Sequence, residues 1–419
     1  MAFTRIHVSN FKSLKDIEIN LGRFNVLVGQ NASGKSNIIS IFRFLRDIKK
    51  YGLDNAISMQ GGTEYLRNLT LGKSEKTSFK VVFDKKLQLF TDPEKKTRAR
   101  VNKTTYSFAL GYTARGFKIL EDYIKFECDF FRKTGSAKPE KCGEGEVVIS
   151  NELGKIKVLI KPREGTIPMA EDDILPPAFY PKLPKTALLM SAPLLTVMGL
   201  FEEVFGEISI YDFDPKLAKK ATPVTGKVEL EEDGNNLALV LKKIVNNKKS
   251  KERLLDLLKD SLSFVTTVNV EKYADKSFLF NVRESYNTGR AIPASLTSDG
   301  TISITAIILA LYFERRHRLG SKEETLTIIE EPERNIHPQL ISKVVAMMKD
   351  VSEKKQVIVT THNPEVVRNA GIEDLIFVFR DQGFTNISRP SESEQVQLFL
   401  REELGIDEIF RLNLLENKQ

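Results

Sequence analysis

Residues 29–36, GQNASGKS, satisfy the pattern G-x-x-x-x-G-K-[ST] at every fixed position, and the flanking segments leave few folds open. RFNVLVG before it reads as a buried strand. SNIISIFRFLRDIKKYG after it sets Ile38, Ile39, Phe42, Leu45 and Ile48 at helical spacing, with a basic last turn and Gly52 as a stop. Strand, glycine-rich turn and helix in that order make an anion cradle. The glycines let backbone N–H groups turn inward, Lys35 neutralises phosphate oxygens, and the Ser36 hydroxyl suits a magnesium ion. Asn31, Ala32, Ser33, Gly34, Lys35, Ser36 and Asn37 are therefore the candidate nucleotide-binding residues. The competing reading is a glycine turn with an incidental lysine, and the flanking strand and helix argue against it.

Three further stretches carry chemistry. TLTIIEEPE presents Leu326, Ile328 and Ile329 in a strand that ends on two adjacent acids. Phosphoryl transfer to water needs a metal held by a carboxylate and a group to orient the water. Glu330 is the candidate metal ligand with Ser36, and Glu331 the candidate catalytic acid. Alone, an acidic pair before proline is usually only a strand end; beside a complete phosphate loop it gains meaning. QVIVTTHNPE places His362 just past another apolar strand, at the sheet edge where ligands of open α/β folds bind. SLTSDGTISITAI sets Ser298, Asp299 and Gly300 at the start of an apolar helix. An ordinary N-cap and an anion-binding helix start share that pattern, and spacing does not choose between them.

The rest of the chain bounds the class. Alternating strands open it (TRIHVSNF, KDIEINL), and residues of about 75–170 read as further strands, including the pair GEVVISN and GKIKVLI joined at Asn151–Gly154. EKKTRARVNKTT reads as a basic loop, either a solvated tip or a nucleic-acid patch. The proline-rich run from Lys161 to Lys185 reads as a linker, ALLMSAPLLTVMGLFEEVF and NNLALVLKKIV as helices, and the last third as α/β again, ending in a hairpin around IFVFRDQGFTNIS. No sustained heptad occurs, so a long coiled coil is not expected. The 419 residues include 26 Phe and 41% hydrophobic positions, enough for a sizeable core, with no run of about 18 apolar residues to span a membrane. The start has no apolar leader, and two cysteines, Cys128 and Cys142, fit a reducing cytoplasm. A net charge of +7 permits nucleic-acid contact without demanding it.

In this order, the pieces resemble the ABC-type ATPases of the SMC/RecF/OLD group. Within it they are most similar to the stand-alone OLD-like AAA ATPases of bacterial anti-phage and abortive-infection systems, such as PARIS, Septu or retron-type ATPase subunits. IHVSNFKSLKDIEINLGRFNVLVGQNASGKSNII looks like that family's start, VELEEDGNNLALVL like its D-G-x-N-L-A segment and SDGT like its shortened signature. IIEEPERNIHP looks like its Walker B and following loop, and TTHNPEVV like its switch-histidine motif. The resemblance implies an α/β head with a P-loop mixed sheet, an antiparallel β subdomain and a helical signature subdomain. It implies ATP and Mg2+ as ligands and a homodimer or higher homo-oligomer, in which Ser298, Asp299 and Gly300 act in trans on the partner's nucleotide. Glu331 then activates water, His362 senses the γ-phosphate, and Lys12 matches a basic position near the phosphates.

Two departures stand out. The family's metal-side acid is usually Asp, one methylene shorter than Glu330, and Thr297 stands where Leu commonly precedes the signature serine. The segment after His362 reads as a hairpin and helical pieces, too short for a TOPRIM nuclease of about a hundred residues. The expectation is an ATP-hydrolysing switch controlling a separate effector protein. The alternatives are a RecF-like DNA-binding repair ATPase and a non-hydrolysing, ATP-gated interaction module. The expected layout is 1–175 as an N-terminal lobe, 176–265 as a helical insert, 266–390 as the C-terminal ATPase lobe and 391–419 as a helical tail.

Overall fold

The computed structural model describes residues 3–72, 74–84, 87–92, 97–114, 116–133, 138–175, 182–191, 201–273, 276–286, 289–313, 326–394, 396 and 405–411. The chain forms two compact units that are not consecutive stretches. The first comprises Met1–Gly22, Ser36–Ile208 and Arg380–Ile387, and the second Arg23–Lys35, Ser209–Phe379 and Ser388–Gln419. As expected, the class is α/β, with both antiparallel and parallel strand pairing.

The first unit is built on an eight-stranded sheet. Its path runs Leu14–Asn20, Phe3–Phe11, Thr77–Phe83, Thr97–Thr113, Gly116–Arg132, Glu140–Glu152 and Lys155–Gly165, with Leu87–Asp92 paired to Thr97–Thr113. Alternation sends one face inward: Ile124, Phe126, Cys128 and Phe130 are buried along one strand. The helix Lys35–Tyr51 buries Ile38, Ile39, Phe42, Phe44, Leu45 and Ile48. Phe44 lies 5.8 Å from Phe11 and 5.4 Å from Phe79, whose ring stacks on Phe108 at 4.9 Å. The abundant phenylalanine is thus the mortar between helix and sheet. The expected hairpin is present: Glu152 pairs with Lys155, and Leu153 and Gly154 both take positive φ, the geometry of a two-residue loop that follows the strand twist.

Three expectations need correction here. The basic segment is not a loop from Thr97 onward, because TRARV alternates and Thr97, Ala99 and Val101 are buried while Arg98 is exposed. Arg100 is paired with Asp129 at 2.7 Å, which weakens the case for a nucleic-acid patch; residues 94–96 lie outside the described residues. Part of the expected linker, Lys161–Gly165, completes a strand, and Glu171–Ile174 is a helical turn. The expected helix at 187–205 is a short 3-10 turn at Leu189–Ser191 and a π-turn at Glu202–Gly206, with 192–200 outside the described residues.

One buried carboxyl in this unit gives a pH signature. Asp122 accepts hydrogen bonds from Tyr106 Oη (3.0 Å), Asn151 Nδ2 (3.0 Å) and the Leu189 N–H (2.7 Å). Burial pushes its carboxyl up to about 7 despite those donors. The folded chain therefore holds this proton more tightly than the unfolded chain, whose aspartate titrates near about 3.9. That stabilisation is complete below the unfolded pKa and is lost as pH rises through about 7. Thermal melting should show wild type losing stability between about pH 4 and 7, and Asp122→Asn should flatten that slope.

The second unit contains the phosphate-loop strand. In this unit the sheet runs Ile208–Tyr211, Leu326–Glu330, Gln356–Thr361, Phe24–Val28 and Leu375–Asp381. Leu326–Glu330, Gln356–Thr361, Phe24–Val28 and Leu375–Asp381 pair in parallel. Strands covered on both faces read as continuous apolar runs, as FNVLV and QVIVTT do. A small sheet of Val265–Tyr273, Ser277–Glu284, Thr222–Pro223 and Ile292–Pro293 accompanies helices Leu237–Val245, Lys248–Ser261, Asp299–Tyr312 and Pro338–Ser352. Asp299–Tyr312 is buried on all sides from Thr301 to Leu311, so it is the core element of this unit. Of the expected helical tail, a 3-10 turn at Pro390–Glu392 and the helix Ile406–Arg411 are among the described elements.

Candidate functional site

Strand register brings the distant motifs together. Glu330 lies opposite Thr360, and Thr361 lies opposite Val28, the residue before Gly29. The acidic strand, the histidine strand and the phosphate-loop strand therefore end side by side at their C-terminal edge, where open parallel sheets bind ligands. The Gly29 N–H donates to the Thr361 carbonyl at 3.3 Å. Gly29 has no room for a side chain, since a Cβ there would lie 2.1 Å from the Val378 carbonyl oxygen. Ala32 (φ 63°) and Gly34 (φ 108°) turn the loop through left-handed backbone. Asn31 and Ala32 are exposed, whereas Ser33, Gly34 and Lys35 are buried.

Lys35 is 8% exposed and folds back over its own loop, donating from Nζ to the carbonyls of Gly29 (2.7 Å) and Gln30 (2.9 Å). Burial lowers its pKa, and the carboxylates of Glu331, Glu333 and Glu330, in that order, oppose the change. A cation desolvated this way and held among acids is poised for a stronger anionic partner.

Glu331 and His362 meet: Nδ1 of His362 lies 3.0 Å from Glu331 Oε1. The other carboxylate oxygen accepts from Arg334 Nη2 at 2.9 Å and Nε at 3.3 Å, and Arg334 Nη1 reaches Asp212 at 2.8 Å. Burial alone would raise the Glu331 pKa, but the Arg334 hydrogen bond and the His362 and Arg334 charges outweigh it and bring the pKa below the usual glutamate value. Glu331 also sits at φ 44°, a conformation that costs a non-glycine residue about 1–3 kcal/mol, with its N–H fixed to the Thr360 carbonyl at 3.0 Å. Such strain persists only where the surroundings over-determine it. Sequence reasoning passed over Arg334, Asp212 and Glu333. Arg334 and Glu333 sat within the quoted IIEEPERNIHP; Asp212 had no local signal.

The signature residues lie in this unit too. Ser298 caps the helix Asp299–Tyr312, accepting from the Thr301 N–H at 3.2 Å, while Lys219 forms an ion pair with Asp299. Within one chain the capping reading is the geometry seen. Gly300 approaches the Asn335 carbonyl so closely that an added Cβ would stand 3.0 Å from it.

Ser36, Asn37 and Lys12 belong to the first unit. Ser36 is exposed in the first turn of its helix, and its carbonyl accepts from Ser40 Oγ at 2.7 Å. Asn37 Nδ2 donates to Ser13 Oγ at 2.6 Å, whose hydroxyl also meets Thr385 Oγ1 at 2.7 Å. Lys12 turns the first hairpin at φ 50°, its N–H bonded to the Leu66 carbonyl and its Nζ 6.0 Å from the Phe11 ring centre. Burial, then the Arg43 charge, lowers its pKa.

Comparison with known proteins follows the same lines. Residues 187–368 match a family described as "AAA domain, putative AbiEii toxin, Type IV TA system", and residues 1–141 match "AAA ATPase domain". Septu protein PtuA of Bacillus thuringiensis is 30% identical over 147 residues, covering 32% of this chain and 37% of PtuA. Old nuclease of Escherichia phage P2 is 25% identical over 409 residues, covering 94% of this chain and 61% of that protein. Endonuclease GajA of Bacillus cereus (strain VD045) is 38% identical over 58 residues, 13% of this chain and 10% of GajA. The chain thus spans less than two thirds of each relative. An Smc head bound to the C-winged helix domain of ScpA superposes at TM-score 0.50 with 14% identity, covering 93% of this chain and 97% of that one. An Smc head with an extended coiled coil, bound to the C-terminal domain of ScpA derived from Pyrococcus furiosus, gives 0.51 with 13% identity, covering 96% and 99%.

Proposed function

We propose that this chain, which belongs to the OLD-like ATPases of the SMC/RecF/OLD group, is a dimeric ATP-hydrolysing switch that controls a separate effector protein in anti-phage defence. The observation that carries the reading is the convergence of three strand ends, which sets Glu331 against His362 one strand away from the strand that feeds the phosphate loop.

The triphosphate lies along residues 31–37, with backbone N–H groups and Lys35 on the phosphate oxygens; the family resemblance adds Lys12 as a basic contact. Lys35 exchanges its two neutral carbonyl partners for phosphate oxygens, whose full negative charge its ammonium meets directly. Among the described residues no cluster of three His, Cys, Asp or Glu stands ready for a metal. Magnesium bound with nucleotide needs only one or two protein oxygens besides phosphate and water, and the family resemblance assigns that task to Ser36 and Glu330. When bound, the ion neutralises charge on the β and γ oxygens. Glu331 is ionised at neutral pH and accepts the proton of the attacking water as its oxygen bonds to the γ-phosphorus and the bridge to the β-phosphate breaks. His362 orients Glu331 and contacts the γ-phosphate. Ser298, Asp299 and Gly300 of a second copy complete the site, using the free N–H groups of a helix start.

The defence role draws support from the names of the relatives, a Septu protein and two nucleases. The purified chain, mixed with millimolar ATP and Mg2+, should release phosphate at a steady rate and shift to twice its mass in light scattering. ATP binding with association but no phosphate release would leave the non-hydrolysing module standing; the absence of both ATP binding and association refutes the switch.

A further inference from the structure

The acidic motif EEPE contains a third carboxylate to which the reaction above gives no task. Glu333 is 7% exposed. Its Oε1 accepts from the Thr361 hydroxyl at 2.5 Å. Its Oε2 is buried and has no hydrogen-bond partner among the described residues. A buried carboxyl with an idle oxygen is costly, and such a group calls for a reason.

The proton arrangement at Thr361 is fixed by its neighbours. The Asn363 N–H lies 2.9 Å from Thr361 Oγ1 and can only donate, so the hydroxyl accepts there and directs its single proton to Glu333. The carbonyl of the same residue receives the Gly29 N–H. Thr361 is therefore the junction of the phosphate loop, the histidine loop and the acidic turn, and Glu333 fixes its side chain.

Two side-chain rungs join the acidic turn to the histidine loop: Glu331 to His362 at 3.0 Å, and Glu333 to Thr361. The first is half exposed, and exposed ion pairs contribute little. The buried rung must carry the alignment. We propose that Glu333 is a positioning residue for hydrolysis, clamping Thr361 so that Glu331 and His362 face the γ-phosphate together. The inference rests on the ATPase reading above.

Thr361→Val removes the hydroxyl at nearly equal volume, Glu333→Leu removes the acceptor, and Glu333→Gln keeps one. Each variant is assayed with ATP and Mg2+ for nucleotide Kd, steady-state phosphate release and melting temperature. Thr361→Val and Glu333→Leu should lower kcat about ten- to hundredfold, the scale of a small misplacement of reacting groups, with Kd within about threefold of wild type. Glu333→Gln should recover most of the rate lost in Glu333→Leu, and the Thr361→Val/Glu333→Leu double variant should be no slower than the worse single. If Glu333→Leu fails to fold, Thr361→Val decides alone. Wild-type kcat in Thr361→Val, or an equal loss of binding and turnover, overturns the clamp while leaving the ATPase reading intact. A wild-type chain that neither binds nor hydrolyses ATP overturns both.

Discussion

Glu331→Gln should slow phosphate release by about 10²–10⁴-fold, the usual contribution of a positioned general base, while ATP stays bound. Glutamine keeps the side chain's size but not its charge or its power to take a proton. Three features of the native residue change together: the carboxylate that meets His362 becomes a neutral amide, the oxygen that accepts from Arg334 loses its charge, and the ionisable group whose pKa is held below the ordinary glutamate range is gone. Binding should persist because Lys35 and the loop backbone, not Glu331, hold the phosphates. It should even tighten, since one of the carboxylates acting on Lys35 is gone and a negative charge no longer faces the γ-phosphate. The expected product is a long-lived ATP-bound dimer, visible by light scattering and by single-turnover kinetics in which nucleotide is retained but not cleaved. Because the native carboxylate is ionised well below neutrality, wild-type turnover should show no acid-side loss from Glu331 between pH 8 and about 6. Wild-type turnover in Glu331→Gln would remove Glu331 from the chemistry.

How much of this was legible depended on whether the signal was local. The phosphate loop spans eight adjacent residues with a strand before and a helix after, so its local form could be read without the fold. Glu331 and His362 were each visible at the end of an apolar strand, and the parallel register supplies their contact. Arg334, Asp212 and Glu333 were not identified, because a charged residue's partner is chosen by the fold: Arg334 reaches Asp212 across 122 positions of sequence. Thr97–Val101 was misjudged for a different reason. Its basic composition masked a two-residue period that buries Ala99 and Val101, and period is the better guide to a strand than charge. The compact units were hidden from linear reading too. Their boundary falls between Lys35 and Ser36, inside the most recognisable motif of the chain.

Lys35→Ala should abolish nucleotide binding, where Glu331→Gln preserves it. A hydrogen bond to a charged group contributes about 1.5–3 kcal/mol, and an ammonium shared by two phosphates makes at least two. Losing both weakens Kd by about 10²–10⁴-fold at about 1.4 kcal/mol per tenfold. The free protein is affected as well, though less. Gly29 and Gln30 lose the donor on their carbonyls, and three glutamates lose the cation whose charge they share. The melting temperature without ATP should fall by a few degrees, while the protection that ATP gives wild type should vanish entirely. Lys35→Arg should not rescue binding, because a planar fork cannot take the place of a compact ammonium buried between two carbonyls. The two measurements separate the possible failures. Lost protection with a nearly intact apo melt identifies Lys35 as a phosphate ligand, and an equal collapse of both identifies it as a structural lysine. ATP bound by Lys35→Ala as tightly as by wild type would mean that GQNASGKS is not where the nucleotide sits, and Glu331, placed beside that loop by the strand register, would have no substrate to act on.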